Sequence, residues 1–598
     1  MTNYRAPLDE ILFVLETVGG MKDWTSLPGY EEAGEELVSA ILEEAGKFTS
    51  DMVAPTNFPC DQFGASVTDG VVTVSPELEP VQKAYVENGW NTLSKSPDFG
   101  GQGLPETLDL AFNEMLTSAN MAYSLHWILS SGAESAISAH ASDDLKNIYQ
   151  EKLVSGEWSA TMNLTEPGAG SDVGALKTKA EPQEDGTYLI KGQKIFITWG
   201  EHELSDNIIH LVLARTPDAP AGTRGISMFI VPKYLVNEDG SLGARNDLKC
   251  VSVEHKLGIH SSPTCVMSYG DKDACVGYLV GRENKGMANM FTMMNHARIM
   301  VGLEGVSISE RAYQTAVAYA KDRVQSAELG AKDRTPVPII RHPDIRRQLM
   351  TMRALSEAAR AIIYRNVWAL DRAHKLEDPE AKRLAQGEAD LLTPLSKAYG
   401  TDIGCEVASI AVQVHGGMGY IEETGVAQYF RDARIAPIYE GTNGIQALDL
   451  VGRKLNMDGG AHWKLLIAEM RDFVTKMDRS LAGQKDGLAQ GVEALDQASE
   501  ALFANGFEGV VDTAAGATPY LRLFASVVGA YLLAKQAMIA ERRLAGDEGN
   551  PTFLQAKIAT AKFFIEQILP ADVALLGPIT AGAASLFDID EAGFDRTG

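Results

Sequence analysis

The periodicity of the apolar residues changes character along this chain, and that change limits the fold more than any single residue does. Up to about residue 157, apolar side chains recur every three or four positions, as in "EEAGEELVSAILEEAGKF" and "LDLAFNEMLTSANMAYSLHWIL". That spacing gives a helix one apolar face. From 158 to 285 the runs are short, alternating or β-branched, as in "YLIKGQKIFIT", "IIHLVLA" and "GISMFIVP", the pattern of strands. After "VGRENKGM" the helical period returns and holds to 453. Residues 454–598 form a further helical block, clearest in "HWKLLIAEMRDFVTKM" and "LRLFASVVGAYLLAKQAMIAE". Helices and strands occupy separate blocks, whereas a doubly wound sheet or an eight-fold barrel needs them to alternate. The expected class is therefore α+β. The expected division is an N-terminal extension 1–35, an α domain 36–157, a β domain 158–285, a second α domain 286–453 and an additional helical domain 454–598; a chain of 598 residues needs several cores in any case.

Charge and cysteine usage narrow the partners. A formal net charge of −27 argues against a nucleic-acid partner, because phosphate binding needs a surplus of Lys and Arg on some face. The five cysteines, Cys60, Cys250, Cys265, Cys275 and Cys405, are scattered and form no C-x-x-C pair, so neither a disulfide framework nor a metal site is expected. The opening "MTNYRAPLDEILFVLE" has acids inside its apolar stretch and no basic segment before it, unlike a signal peptide. The longest apolar run, Leu523 to Ala534, is fenced by Arg522 and Lys535 and falls short of the ~20 residues a bilayer span needs. A buried helix, no membrane and a cytoplasmic location are the expectation.

Four segments carry chemistry-bearing residues, each with a bland reading beside it. In "MNLTEPGAGSDVG" the glycines follow G-x-G-x-x-x-G after a proline, which does not fit a dinucleotide fingerprint. It is either a surface turn or a loop whose small residues let a flat ligand approach the backbone, with Thr165 and Ser171 supplying hydroxyls. "GQKIFITWG" reads as a core strand, with Thr198 and Phe196 able to meet the edge and face of a planar ring. "AVQVHGGMGYI" ends a helix at Gly416, and its lone His415 is more simply structural than a ligand. In "RIAPIYEGTNGIQ", Glu440 follows an apolar run and precedes residues that turn tightly. It is either a solvated loop acid or a carboxylate whose burial suits it to take a weakly acidic carbon-bound proton.

Together "LTEPGAGSD", "GQKIFIT", "VQVHGGMGY" and "RDARIAPIYEGTNGIQ" resemble the signature segments of the acyl-CoA dehydrogenase flavoenzymes, in that family's order. The resemblance implies an N-terminal helical domain, a barrel-like middle β domain and a C-terminal helical bundle, extended here by the last helical block. It implies FAD as cofactor and removal of one hydrogen from each of the α and β carbons of an acyl-CoA thioester. Glu440 would be the base that accepts the α proton while the β hydride passes to the flavin. The thioester oxygen would be held by the flavin ribityl chain and the backbone N–H of Glu440.

Carried over position by position, the resemblance places Met162, Leu164 and Thr165 along the flavin pyrimidine, and Phe196 and Thr198 beside its ring. Ser171, Asn295 and Arg298 would contact the CoA portion of the substrate. Arg323 would reach FAD pyrophosphate across a subunit interface, implying a homo-oligomer, dimer or tetramer. Gln413, Gly417 and Thr442 would be further FAD contacts. There are departures: Gln325 and Gly444 occupy cofactor-contact positions without the family's usual side chains, and Gly452 replaces an arginine. The long layout and the "APL…FVL" opening resemble a bacterial branch whose acyl chain carries a methylthio group, so 3-methylmercaptopropionyl-CoA is the expected substrate and butyryl-CoA the alternative. Electron-transfer flavoprotein is the expected acceptor. An oxygen-using oxidase is the nearest rival; a DNA-associated flavoprotein would need a basic face, and a catalytically dead scaffold would not need Glu440 in its expected context.

Overall fold

The computed structural model describes residues 4–506 and 509–597, and the chain divides into two compact units. One comprises Ile41–Met300 together with residues 4–6; the other joins Pro7–Ala40 to the residues from Val301 onward.

In the first unit, three helices lead into the sheet. Glu106–Ala119 ends where Asn120 turns extended, and the Asn120 side chain accepts from Tyr123 N to start Met121–His140. That is the capping chemistry expected of Asn at a helix start. Ser142 caps Asp143–Ser155, and Gly156, at φ 82°, closes it just before the strand Trp158–Asn163. The sheet runs in the order Leu248–Val253, Thr264–Tyr269, Tyr188–Thr198, Val276–Leu279, Ser227–Pro232, Asn207–Ala214, Trp158–Asn163, with Lys179–Pro182 also paired to Tyr188–Thr198. All these pairs are antiparallel except Trp158–Asn163 with Asn207–Ala214. Every residue of Asn207–Ala214 is buried because both faces are covered. Ile209, Leu211 and Leu213 pack with Leu129, Ala133 and Ile137 of the helices, while Val212 and Ala214 face Phe229, Cys250, Cys265 and Met267. A small hairpin, Ser66–Thr68 with Val71–Thr73, interrupts the N-terminal helices. Asp69 and Gly70 both take positive φ, as a two-residue hairpin turn requires.

The second unit is built on three long helices, the later part of Gly286–Asp322, then Pro343–Lys375 and Pro379–His415. Asp378 caps the last of these by accepting from Ala381 N at 2.8 Å. Gly302 and Gly305 let the first and third helices touch backbone to backbone: a Cβ at Gly302 would lie 2.2 Å from Ser396 O, and one at Gly305 1.9 Å from Gly400 O. Only glycine fits at such an approach.

The helices Leu8–Thr17 and Pro551–Phe563 both belong to this unit. Phe13 of Leu8–Thr17 packs with Ala540 and Leu554 and meets the Phe553 ring at 5.4 Å. Lys557, buried in Pro551–Phe563, donates to Glu10 Oε1 and Glu357 Oε2, each at 2.7 Å. Glu357 also pairs with Arg353 at 2.6 Å. A second network links Arg365 to Glu388 and Glu469, both at 2.6 Å, with Tyr531 donating to Glu469 at 2.7 Å. The apolar run Leu523–Ala534 lies buried within the helix Val510–Ala545.

Candidate functional site

The candidate residues fall in both units, and each group is built locally. In the Ile41–Met300 unit, the loop after Trp158–Asn163 is held by a buried ion pair. Lys194, fully buried, lies 2.8 Å from Glu166 Oε1 and donates to Leu164 O at 3.0 Å. Glu166 also accepts from Lys177 N at 2.6 Å, Thr178 N at 3.0 Å and Thr178 Oγ1 at 2.6 Å. Burial pulls Lys194 down to about 8, against the pull of Glu166. Burial would raise Glu166, but Lys194 and the Thr178 and Lys177 hydrogen bonds hold it below the usual carboxylate range. A carboxylate so satisfied fixes the backbone of the "LTEPG" segment rather than doing chemistry.

That clamp sets Met162, Leu164 and Thr165 beside the end of Tyr188–Thr198, where Ile195 N donates to Thr165 O at 3.0 Å. The pairing with Thr264–Tyr269 slips here: Ile197 faces Cys265 while Lys194 faces Met267. The extra residue is a β-bulge, which re-aims side chains. Phe196, at φ 59°, is 57% exposed, while Trp199, at φ 52°, is buried with its indole N–H on Ala122 O at 3.1 Å. Of the two aromatics in "GQKIFITWG", Trp199, just past the strand, is core and Phe196 is presented outward. Met162 and Leu164 are partly buried against the helix–sheet core. Thr165 and Thr198 are half-buried, and neither hydroxyl has a hydrogen-bond partner among the described residues. Ser171 is exposed just beyond the Glu166–Ala169 bridge. Asn295 is exposed and Arg298 buried on one helix, with Arg298 Nη1 3.5 Å from Asn295 Oδ1.

In the other unit, Glu440 stands at φ 55° between Tyr439 and Gly441, itself at φ 82°. The left-handed region costs a side-chain-bearing residue roughly 1–2 kcal/mol, so something must hold it there. Asn443 N donates to Pro437 O at 3.0 Å across the turn. Thr442 caps Asn443–Asp449 by accepting from Ile445 N, and Gln446 Nε2 reaches the carbonyls of Glu440 and Gly441, both at 3.4 Å. The Asn443 side chain is anchored to Pro379–His415: it accepts from Lys397 Nζ at 2.9 Å and donates to Asp402 Oδ1 at 2.7 Å. On the near side the Tyr439 hydroxyl donates to Glu304, which is fully buried. Glu440 is half-buried, and Gly444 is exposed one turn further on.

Arg323, Gln325, Gln413 and Gly417 gather elsewhere. Tyr319 stacks on His415 with ring centroids 4.3 Å apart, so the C-terminal ends of Gly286–Asp322 and Pro379–His415 lie side by side. His415 Nδ1 is 2.7 Å from Ala411 O, and burial lowers its pKa, as suits a structural histidine. Gly416 closes the helix by donating to Gln413 O. Arg323 and Gln325 sit at the hairpin Val324–Ala327/Pro336–Pro338, exposed, and Arg323 makes no ion pair among the described residues. Arg323 follows directly on the end of Gly286–Asp322, nineteen positions after Glu304, about 28 Å at the α-helical rise. This cluster is thus apart from the Glu440 loop of the same chain.

Sequence reasoning did not single out Glu166, Lys194, Glu304, Lys397 or Asn443. The signal for Glu304 was available: one acid in the apolar and glycine-rich "MVGLEGV", where a helix has no polar face to offer it.

Three family models match the chain: "Acyl-CoA dehydrogenase, middle domain" over residues 161–271, "Acyl-CoA dehydrogenase, C-terminal domain" over 284–455 and "Acetyl-CoA dehydrogenase C-terminal like" over 466–590. The chain is 46% identical to a 3-methylmercaptopropionyl-CoA dehydrogenase of Ruegeria pomeroyi, covering 95% of this chain and 96% of that protein. It is 35% identical to a butyryl-CoA dehydrogenase of Syntrophomonas wolfei, with 99% of each covered. Among solved structures, an acyl-CoA dehydrogenase from Bacillus anthracis complexed with FAD shares the fold at a TM-score of 0.72 and 23% identity, over 91% of this chain and 88% of that one.

Proposed function

The chain belongs to the acyl-CoA dehydrogenase family, and from that premise we propose that it is an FAD-dependent enzyme that oxidises 3-methylmercaptopropionyl-CoA to methylthioacryloyl-CoA, with Glu440 as the base. The observation that carries the mechanism is the placement of Glu440: a half-buried carboxylate on left-handed backbone, clamped on both sides. The substrate choice is supported by the 46% identical relative that spans nearly the whole chain.

The residues present fit the cofactor. An exposed ring on a bulge and two half-buried hydroxyls without partners among the described residues suit a flat, hydrogen-bonding ring system. Met162, Leu164, Thr165, Phe196 and Thr198 would hold it, with Thr442 and Gly444 near the base and Arg323, Gln325, Gln413 and Gly417 at the far helix end. Bound FAD supplies the two-electron acceptor. Glu440 takes the proton from the carbon next to the thioester, which the thioester carbonyl acidifies. The electron pair of that bond forms the new C=C as the β hydrogen leaves as hydride. The backbone N–H of Glu440 is offered to the thioester oxygen, where negative charge develops. The separation of about 28 Å along the helix between Arg323 and the Glu440 region supports the reading in which Arg323 serves the cofactor of another subunit in a homo-oligomer. Reoxidation by electron-transfer flavoprotein and a cytoplasmic location complete the reading.

The test is steady-state turnover with an artificial electron acceptor on 3-methylmercaptopropionyl-CoA and, separately, butyryl-CoA. A higher kcat/KM for the methylthio substrate supports the proposal. Preference for butyryl-CoA assigns the chain to the straight-chain activity carried by the name of the 35% identical relative, and rapid peroxide formation with oxygen alone would make it an oxidase.

A further inference from the structure

Glu304 is an acid in an apolar place. It lies on Gly286–Asp322 between Gly302 and Gly305, two positions where that helix approaches the backbone of Pro379–His415. Its relative exposure is 0%. One carboxyl oxygen meets the Tyr439 hydroxyl, and the other, Oε1, is buried with no hydrogen-bond partner among the described residues. An ionised carboxylate left with an orphan oxygen in such a place is costly.

We propose that Glu304 is a positioning residue for the reaction: its carboxyl, bonded to the Tyr439 hydroxyl, fixes the loop on which Glu440 stands and leaves the ionised charge of the pair to Glu440. The proposal rests on Glu440 being the base. Among the described residues, the charged or titratable groups that face Glu304 are Tyr439 and Glu440 from the loop, and Lys397 from Pro379–His415. Asp432 in turn faces Tyr439. Burial raises Glu304 to about 8; Tyr439 and Lys397 pull it back, and Glu440 pushes it up. Two neighbouring carboxyl groups do not both ionise cheaply. The fully buried one with the orphan oxygen stays neutral, so the half-buried one carries the charge that accepts the proton. The same bond restrains Tyr439, the residue immediately before the left-handed Glu440, and so steadies the backbone from the side that Gln446 does not reach.

The experiment compares holoenzyme carrying Glu304→Gln and Glu304→Ala with the parent. Two readouts are used: infrared absorption of protonated carboxyl groups during a pH titration, and the rate of anaerobic flavin reduction by the acyl-CoA as a function of pH. The parent is expected to show a protonated-carboxyl band that disappears as pH rises through about 8. Its reduction rate is expected to inflect over the same range. Glu304→Gln keeps an acceptor for Tyr439, so it retains the parent rate near neutrality and loses both the band and the inflection. Glu304→Ala loses the bond, and its rate falls roughly tenfold to a hundredfold, the size of effect a misplaced base produces. An inflection that persists in Glu304→Gln, or a parent without the band, overturns the proposal, and this holds even where Glu304→Ala fails to fold. If Glu440→Gln reduces flavin at the parent rate, the base assignment fails. If Glu440→Gln is inactive and Glu304→Gln keeps the inflection, only the role of Glu304 fails.

Discussion

Replacing Lys557 with Met strands two carboxylates inside the helical unit. The ammonium group is 2.7 Å from both Glu10 and Glu357, and its side chain is 1% exposed. Removing one member of a buried ion pair costs about 3–5 kcal/mol, because the charge left behind has neither water nor a partner. The lower end applies here, since Arg353 remains 2.6 Å from Glu357 and Arg360 lies 3.9 Å from Glu10. A loss of about 3 kcal/mol at about 2 °C per kcal/mol lowers Tm by about 6 °C in a unit of this size. Calorimetry of the holoenzyme at one fixed scan rate reads it. The deficit also has a pH signature. Burial would raise Glu357, but Lys557 and Arg353 outweigh it and hold the carboxyl below its usual range. A depressed carboxyl contributes stability that is present above its unfolded pKa and is lost as pH falls through the folded one. The gap between parent and Lys557→Met is therefore full at neutral pH and narrows on acidification. Adding Glu10→Gln removes one stranded charge and regains part of the loss. A Lys557→Met enzyme that melts with the parent at neutral pH refutes the reasoning, and with it the idea that this network fastens Leu8–Thr17 and Pro551–Phe563 to the bundle.

Gly305→Ala places a methyl group 1.9 Å from Gly400 O, so the two helices must part. Overpacking of this kind costs about 1–3 kcal/mol, and because Lys397 and Asn443 hang from the same contact, kcat should fall along with Tm; an unchanged Tm contradicts the close approach. Thr198→Val removes a hydroxyl that has no internal partner among the described residues. It should leave the melting of the apoprotein unchanged while weakening FAD retention, measured by flavin content after gel filtration; equal retention removes Thr198 from the cofactor site.

The block order was legible because periodicity is a local property: a helix or strand writes its period into its own residues. The Ser66–Thr73 hairpin was missed because its strands are three residues each, too short to show an alternation. Glu440, the proposed base, is marked as a candidate by its flanking motif, and so is the loop at Thr165. What holds those segments in place is not. Glu166 finds Lys194 28 residues away, and Tyr439 finds Glu304 at a separation of 135. Such pairs are set by tertiary contact, and neither partner has a pattern around it that names the other. The Phe196 bulge belongs to the same class, since it depends on the register of Thr264–Tyr269. The sequence of Tyr188–Thr198 reads most simply as core, with Phe196 and Thr198 as candidates to meet a planar ring, and nothing in it announces the bulge.

The most direct measurement is anaerobic mixing of the Glu440→Gln holoenzyme with 3-methylmercaptopropionyl-CoA, following the flavin absorbance. The variant should bind FAD and acyl-CoA as the parent does. Its bleaching should slow by about 10²–10⁴-fold, the contribution of a positioned general base. Bleaching at the parent rate would show that some other group takes the proton, and the account of this site would fail.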